Sequence, residues 1–186
     1  MFASIDIWRR NAKQRAHSWT HLLHLALQKY FPETKQEWSF VWEDEIRFDF
    51  AASSLLHNEQ LQEIVARMNQ KIYESLPIKV ASMAYSDAVS LWAKAFFADT
   101  YGDEVRVVSI GEDTHVISRE LCWWNHVVST DMIGAFCLVS HETVASGTKR
   151  IVAYTGPKVL EKLQEQEQQL YTISEQVSVK DRKSVV

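Results

Sequence analysis

The pattern of apolar and polar residues, together with helix-ending and capping residues, predicts three helices before Pro157. In residues 9–31 the leucines of LLHLAL cluster on the later turns and Pro32 follows, which predicts a helix that ends near the proline. Residues 58–75 predict a second amphipathic helix. Its apolar face consists of Leu61, Ile64, Val65, Met68 and Ile72. A third helix is predicted to begin at Ser86, a residue type favoured at the N-cap, and to continue to residue 97.

Alternating apolar and polar residues predict the strands. Ile46, Phe48 and Phe50 alternate with charged residues in EIRFDF, and the short turn WEDE joins this segment to the preceding QEWSFV. Further strands are predicted at residues 78–85, 104–111, 114–121, 134–140 and 150–156. The mixture predicts an α+β fold, a two-layer sandwich of mostly antiparallel sheet with packed helices.

The character of the chain changes at Pro157. The following residues are rich in glutamine and glutamate, and Leu163 and Leu170 stand at heptad spacing. We therefore divide the chain into a globular domain, 1–156, and a helical segment, 157–186, which is the start of a coiled coil and a candidate surface for dimerisation. The closing KDRKSVV carries no helix cap, so we interpret this segment as truncated.

Bulk composition narrows the class of protein. The hydrophobic share of 46% and the charged share of 24% are ordinary for a globular protein of 186 residues. No apolar run is long enough to span a bilayer, and the start has no apolar core of a secretory signal. Two cysteines make no disulfide framework, so we expect a cytoplasmic protein. The net charge of −4 argues against a general nucleic-acid binder but leaves room for a local basic patch.

Two pairs of residues have the spacing of metal ligands. His17 and His21 are one helical turn apart, and Cys122 and His126 flank a three-residue loop. Each pair alone also fits ordinary packing or surface residues, whereas together they supply three imidazoles and one thiolate, a set that suits tetrahedral Zn²⁺. His24 could share the face of the first pair, and we interpret it as a packing or surface residue.

Five motifs in order connect the chain to a known family. HSWTHLLHLAL, QEWSFVWEDEIRFDF, YGDEVRVVSIG, SRELCWWNHV and ASGTKRIVAYTG resemble the editing domain of alanyl-tRNA synthetase. Threonyl-tRNA synthetase and free-standing alanyl-tRNA editing proteins share this domain. The resemblance runs from about Asp6 to Gly156. The order of the motifs and the helix that follows favour the synthetase over the free-standing proteins.

The resemblance implies an aminoacyl-tRNA deacylase. The family hydrolyses the ester of seryl- and glycyl-tRNA-Ala, because a synthetic site cannot cheaply reject a similar amino acid. His17, His21, Cys122 and His126 match the family's zinc ligands. Gln36 stands in the strand that lines the editing pocket. The remaining implied site residues are Thr20, as a pocket hydroxyl, and Arg119 and Glu120, which flank the ligand loop and position it.

The implied partner is tRNA-Ala, and basic residues are candidates for contacts with its phosphates. These candidates are Arg9, Arg10, Lys13, Arg15, Lys149 and Arg150. A solvated basic face is the alternative for each of them. Three positions depart from the family pattern: Asn125 replaces threonine, Lys149 replaces arginine and Val152 replaces glutamate. The chain is too short to hold an aminoacylation domain as well, so we expect it to deacylate tRNA but not to charge it.

Tryptophan is in excess and glycine is scarce, with 7 tryptophans and 5 glycines in the chain. Five in 186 is about 3%, against a usual share of about 7%. The family has glycine where this chain has Trp38, Trp92, Trp123 and Trp124. Small residues or glycine also fit at Trp19 and Trp42. We interpret these six as glycines encoded by UGA and read as tryptophan. Genuine tryptophans would instead fill the pocket and leave a catalytically inactive, zinc-stabilised tRNA-binding module.

Overall fold

The computed structural model describes residues 4–95 and 101–183, with side chains to residue 177. The helices are α1 (Ile7–Leu27), α2 (Asn58–Tyr73), α3 (Tyr85–Ser90) and α4 (Pro157–Lys183). The strands are β1 (Gln36–Val41), β2 (Glu45–Ala51), β3 (Ile78–Ala84), β4 (Glu104–Glu112), β5 (His115–Leu121), β6 (Phe136–Ala145) and β7 (Thr148–Thr155). A 3₁₀ helix, Thr130–Ile133, precedes β6.

The strands form two antiparallel sheets, in the orders β1-β2-β7-β6 and β3-β4-β5. In the four-stranded sheet Phe48 pairs with Ile151, and both side chains are fully buried on the face that the helices cover. Helices α1 and α2 contact each other, α1 contacts β2 and β7, and α2 contacts β6. The predicted α+β class, with mostly antiparallel sheet and packed helices, is confirmed.

Helix α1 begins at a capped end and buries one face. The Asp6 carboxylate accepts a hydrogen bond from the Arg9 N–H, which satisfies one of the free donors at the helix start. The side chains of Leu23 and Leu27 are fully buried in the main core. The helix ends before the predicted boundary because the N–H groups of Lys29 and Tyr30 bond to carbonyls three residues back, those of Ala26 and Leu27, and these turn bonds replace the α-helical pattern.

The smaller sheet has a satellite core and leads directly into α3. Ala88 of α3 packs there with Val105, Val107 and Leu121. The prediction that Ser86 is an N-cap was wrong. Strand β3 continues to Ala84 and the helix starts at Tyr85, so Ser86 lies inside the first turn.

Helix α3 is also shorter than predicted. It ends at Ser90, and Trp92 adopts a φ of 60°, a left-handed conformation that stops a helix. Residues 96 and 97 of the predicted helix lie outside the described residues.

Helix α4 confirms the predicted C-terminal helix. Gly156 links it to β7 at a φ of 57°, and an added Cβ would stand 2.8 Å from Arg15 Nε. Val159 in the first turn is buried, and Lys158 Nζ donates to Glu45 Oε2 over 2.8 Å. The helix contacts β7. Later apolar side chains are exposed, and these are Leu160, Leu163, Leu170, Ile173 and Val177.

The division at residue 156 stays a prediction, and residues 184–186 of the helical segment lie outside the described residues. Among the described residues, no helix combines the length and the apolar character that crossing a membrane demands.

Candidate metal centre

Three imidazoles and one cysteine sulfur converge between α1 and the loop after β5. His17 and His21 project from successive turns of α1, and Cys122 and His126 stand at the two ends of the loop. One candidate ligand atom from each residue lies within 4.8 Å of all the others. The His17 Nε2 and Cys122 Sγ atoms are 3.1 Å apart. The structure therefore brings together all four residues that were predicted as ligands.

Two ring nitrogens in this cluster have no ordinary partner. His21 Nε2 and His126 Nε2 are buried and have no hydrogen bond of normal geometry among the described residues. Buried polar atoms are almost always satisfied by protein, water or an ion. Imidazole nitrogens and a thiolate are ligands that Zn²⁺ prefers, so the donor set fits a zinc ion.

The other ring nitrogens are held by neighbouring side chains. His21 Nδ1 bonds to Glu120 Oε2, and because a carboxylate only accepts, Nδ1 carries the proton. His126 Nδ1 lies 3.2 Å from Ser18 Oγ, which also accepts the Val127 N–H over 3.0 Å. When Nδ1 donates to Ser18, Nε2 keeps its lone pair for the cluster. Such outer partners orient the imidazole ligands of metal sites.

The pKa is lowered for two histidines of the cluster and raised for the third. Burial, with the nearby charge of His21, lowers the pKa of His17 to about 3 and that of His126 to about 2. Burial also opposes the charged form of His21, but the field of Glu120 and hydrogen bonds outweigh it and raise its pKa to about 10. Burial would raise the pKa of Glu120, yet the charge of His21 holds it well below its usual range. Without metal, the centre is a buried His21–Glu120 ion pair beside two neutral rings.

The loop between Cys122 and His126 is fastened to β4 by its backbone. The Cys122 N–H donates to the Arg106 carbonyl over 3.0 Å. The Arg106 guanidinium in turn donates to the carbonyls of Cys122 and Trp124. Neither Arg106 nor Ser18 was predicted as a site residue. The one signal for Arg106 was a charged residue between the apolar Val105 and Val107 of a strand.

The two residues predicted in the pocket are placed differently from the ligands. The Thr20 hydroxyl is buried and donates to the His17 carbonyl over 2.6 Å, one turn back in α1. Gln36 opens β1, and its amide donates to Ser39 Oγ over 2.8 Å. Thr20 thus contacts the backbone of a ligand, whereas Gln36 bonds within its own strand.

A groove of about 930 Å³ lies between α1 and β1, and His17 of the four-residue cluster is part of its lining. Its lining includes Arg9, Arg10, Lys13, His17, Phe40, Trp42, Trp124 and Asn125. Arg9 and Lys13 lie over the Trp42 ring, 5.2 Å and 5.3 Å from its centroid. Half of the predicted phosphate-binding residues therefore lie beside the cluster in one groove.

The other three basic candidates lie outside the lining of this groove. Arg15 is held by Asp44 through bonds of 2.8 and 2.9 Å, and Arg150 is held by Asp49 through bonds of 2.7 and 2.8 Å. Lys149 is buried, only 6% exposed, on β7. Their contacts with RNA stay predictions.

The six tryptophans at glycine-like positions occupy different environments. Trp92 is exposed and has the left-handed φ of 60°, which favours glycine. Trp19 is fully buried against Phe136, with ring centroids 4.6 Å apart, and its Nε1 has no hydrogen bond among the described residues. Trp123 and Trp124 are exposed, and the Trp124 ring lies 6.1 Å from that of His17. The interpretation as glycine stays a prediction.

The fold and site define an antiparallel α+β domain with a candidate metal centre beside a basic groove. Residues 105–152 match the family described as the threonyl and alanyl tRNA synthetase second additional domain. The chain is 39% identical over 184 residues to the alanine--tRNA ligase of Thermoanaerobacter pseudethanolicus, covering 98% of this chain and 20% of that protein. It is 39% identical over 178 residues to the enzyme of Halorhodospira halophila, covering 95% and 20%, and 42% identical over 167 residues to that of Akkermansia muciniphila, covering 87% and 18%.

Nearly the whole chain is thus similar to one segment of alanine--tRNA ligases, and within it residues 105–152 match this family of second additional domains. It spans about a fifth of the length of the curated relatives it matches, since it covers 20% of the first of them.

Proposed function

We propose that the chain is the editing domain of an alanine--tRNA ligase and hydrolyses the ester of seryl- or glycyl-tRNA-Ala. The observation that carries the proposal is that His17 belongs both to the four-residue cluster and to the lining of a groove with three basic residues. A mischarged acceptor end needs a positively charged path for its phosphates and a polar centre for its ester. The groove and the cluster supply these features side by side.

Zn²⁺ is the proposed cofactor, with His17, His21, Cys122 and His126 as its ligands. When bound, such an ion can polarise an ester carbonyl, anchor an amino group or activate water if one coordination position is open. With all four side chains bound, it holds α1 against the ligand loop instead. In either case Ser18 and Glu120 contact the outer ring nitrogens of His126 and His21.

The groove is the proposed site of the acceptor end of tRNA-Ala. Arg9, Arg10 and Lys13 provide positive charge for phosphates, and aromatic side chains offer faces on which bases stack. Arg9 also pairs with Glu43 over 2.8 Å, and both side chains are nearly half exposed. Such a solvated pair is weak, so the guanidinium is available to a phosphate at little cost.

Gln36 and Thr20 remain proposed pocket residues. Thr20 contributes by donating a hydrogen bond to the backbone carbonyl of His17, the first of the proposed ligands. Gln36 stands at the start of β1. Its side-chain amide becomes available to the pocket once its hydrogen bond to Ser39 is broken. In the full-length protein we further propose a cytoplasmic location and dimerisation through α4, where apolar side chains are exposed. The aminoacylation reaction belongs to other parts of such a ligase.

Deacylation of seryl-tRNA-Ala by the purified chain tests this function. Wild type should release serine, and Cys122→Ala and His126→Ala should lower the rate at least about tenfold, because each removes a ligand. Cys137→Ala is the matched control, since Cys137 lies on β6 outside the cluster, and it should retain the wild-type rate. Full activity of metal-free Cys122→Ala would refute the assigned site.

The second candidate is a tRNA-binding module without turnover, and the placement of Trp124 favours it. Its ring lies 6.1 Å from that of His17 and lines the same groove. A genuine tryptophan there narrows access to the cluster. This candidate predicts tRNA binding without hydrolysis, and it predicts that Trp124→Gly gives the chain deacylase activity.

A further inference from the structure

Glu120 is a buried carboxylate between two histidines of α1. It is the penultimate residue of β5 and is 3% exposed. His21 and His24 lie on the same side of α1, and their Nδ1 atoms both bond to this carboxylate. Removing a carboxylate from water is expensive unless it is fully paired. Glu120 therefore needs all of its partners.

The two oxygens of Glu120 have different partners. Oε2 accepts from His21 Nδ1, and Oε1 lies 3.2 Å from both His24 Nδ1 and Ser118 Oγ. The carboxylate is thereby held from α1 and from its own strand. With its orientation fixed, it leaves His21 Nε2 as the ring nitrogen available to the metal cluster.

His24 extends this connection beyond the metal centre. Its Nε2 lies 3.2 Å from the Thr34 carbonyl, just before β1. Its side chain is buried, only 1% exposed, so it is neither a surface residue nor simple apolar packing. The resulting chain of contacts runs from the cluster through Glu120 to the segment that leads into β1.

Stability alone gives a weak reason for a carboxylate here. Replacing a buried ion pair with well-packed apolar residues is often neutral or stabilising. A carboxylate that faces the outer nitrogen of an imidazole ligand has a specific use, since it sets the tautomer, the ring orientation and the basicity of that ligand.

We propose that Glu120 is a positioning residue of the metal centre: it presents His21 Nε2 to the ion, and His24 holds Glu120 in place. The proposal rests on the proposed function, which places Zn²⁺ at the cluster. It predicts that metal affinity depends on residues that do not touch the metal.

Competition with a chromophoric chelator measures the zinc affinity of the chain and its variants. Glu120→Gln keeps the size of the side chain and should raise the zinc Kd by about 10- to 100-fold. His24→Gln leaves the carboxylate but removes one of its supports, and it should raise the Kd by a smaller factor, about 2- to 10-fold. Glu112→Gln is the matched control, because Glu112 is an exposed carboxylate of the same sheet, and its Kd should equal that of wild type.

A second measurement separates positioning from a structural role. In the Co²⁺-loaded proteins at saturating metal, the absorption bands report the geometry of the ligand set. The bands of Glu120→Gln should differ from those of wild type, whereas a merely structural residue would leave them unchanged once the site is full. If Glu120→Gln fails to fold without metal, His24→Gln carries the same comparison.

Two outcomes would overturn the proposal, and they differ in whether the chain binds metal. Wild-type Kd values and superimposable spectra in the Glu120 and His24 variants would overturn the positioning role while leaving the zinc centre intact. A wild-type chain that takes up neither Zn²⁺ nor Co²⁺ would overturn the proposed metal centre and the role of Glu120 with it.

Discussion

His17 and Cys122 are 105 residues apart in the sequence, and their Nε2 and Sγ atoms lie 3.1 Å apart in the fold. The first residue belongs to α1 and the second follows β5, so this contact joins a helix of the main core to the end of the smaller sheet. An ion bound between them would crosslink these two parts of the domain. Metal binding and folding stability should therefore be coupled.

Zinc should stabilise the chain. Because an ion that binds only the folded state raises stability by mass action, zinc at about 100 times its Kd should add about 2.7 kcal/mol to the free energy of unfolding. Thermal melts with zinc and with a chelator measure this difference. Cys122→Ser should lose most of the zinc-dependent shift, and Cys137→Ser should keep it. Equal shifts in the two variants would show that the ion binds elsewhere.

The metal-free chain should lose stability on both sides of about pH 6.5. His17 and His126 have folded-state pKa values of about 3 and about 2, below the unfolded value of 6.5. Unfolding therefore takes up protons as the pH falls below 6.5, and each ring lowers the free energy of unfolding by up to about 1.4 kcal/mol per pH unit. The pKa of His21 is raised to about 10, so its contribution is complete below pH 6.5 and is lost as the pH rises toward 10.

Urea denaturation at pH 5 to 9, about two units either side of neutrality and in the presence of a chelator, measures this dependence. His17→Asn should reduce the acid-side slope, because it removes one of the rings whose pKa is lowered. His115→Asn is the control, since His115 is exposed on β5, and its slope should match that of wild type. A flat profile between pH 7 and pH 5 would contradict the neutral state of His17 and His126.

Much of this centre was predictable because its determinants are local. Helical geometry places His17 and His21 on one face, and the loop from Cys122 to His126 has the length of a ligand loop. Their outer partners were not predictable in the same way. Ser18 and His126 are separated by 108 residues, and nothing in the local pattern of either residue indicates the other.

The fold, like the metal centre, was predictable where local sequence determines it and not where distant segments do. Alternation within β2 and β7 predicted strands, but it carried no information on which strands pair, so the separation into two sheets was not predicted. The Ser86 cap failed for a related reason. N-cap preference describes an isolated helix, whereas β3 here continues without a loop into α3 and decides where that helix starts.

The basic groove predicts a salt-dependent affinity for RNA. Arg9→Gln and Lys13→Gln should each weaken binding of a tRNA-Ala acceptor hairpin and lower the slope of log K against log salt by about 1 unit. Lys71→Gln is the control, because Lys71 lies on α2 outside the lining of the groove and pairs with Glu74. Binding isotherms at several salt concentrations give the slopes. If all three variants share the wild-type slope, the acceptor end does not occupy this groove.

Replacing Trp92 with glycine, but not with alanine, should stabilise the chain. The φ of 60° at Trp92 carries a penalty for any residue with a Cβ, and the ring is 88% exposed, so it gains little from packing. Trp92→Gly should raise the free energy of unfolding by about 1 kcal/mol, whereas Trp92→Ala keeps the Cβ and should leave it near wild type. The difference between the two variants isolates the backbone term. Equal stabilities of Trp92→Gly and Trp92→Ala would remove the conformational argument for glycine.

Trp19 is buried, whereas Trp92 is exposed, and the natural residue at position 19 tests whether the six tryptophans are genuine. The Trp19 ring is fully buried against Phe136, so in a chain that carries tryptophan here Trp19→Gly should lower the free energy of unfolding by about 3–5 kcal/mol, because it leaves a cavity. If the six positions are glycine in the natural protein, its core packs around the smaller residue at position 19. The chain purified from its source should then have the intact mass of the form with six glycines. A mass that matches the tryptophan form would establish genuine tryptophans. Trp124 would then stand beside His17 in the natural protein, and the binding module would be the better account of the site.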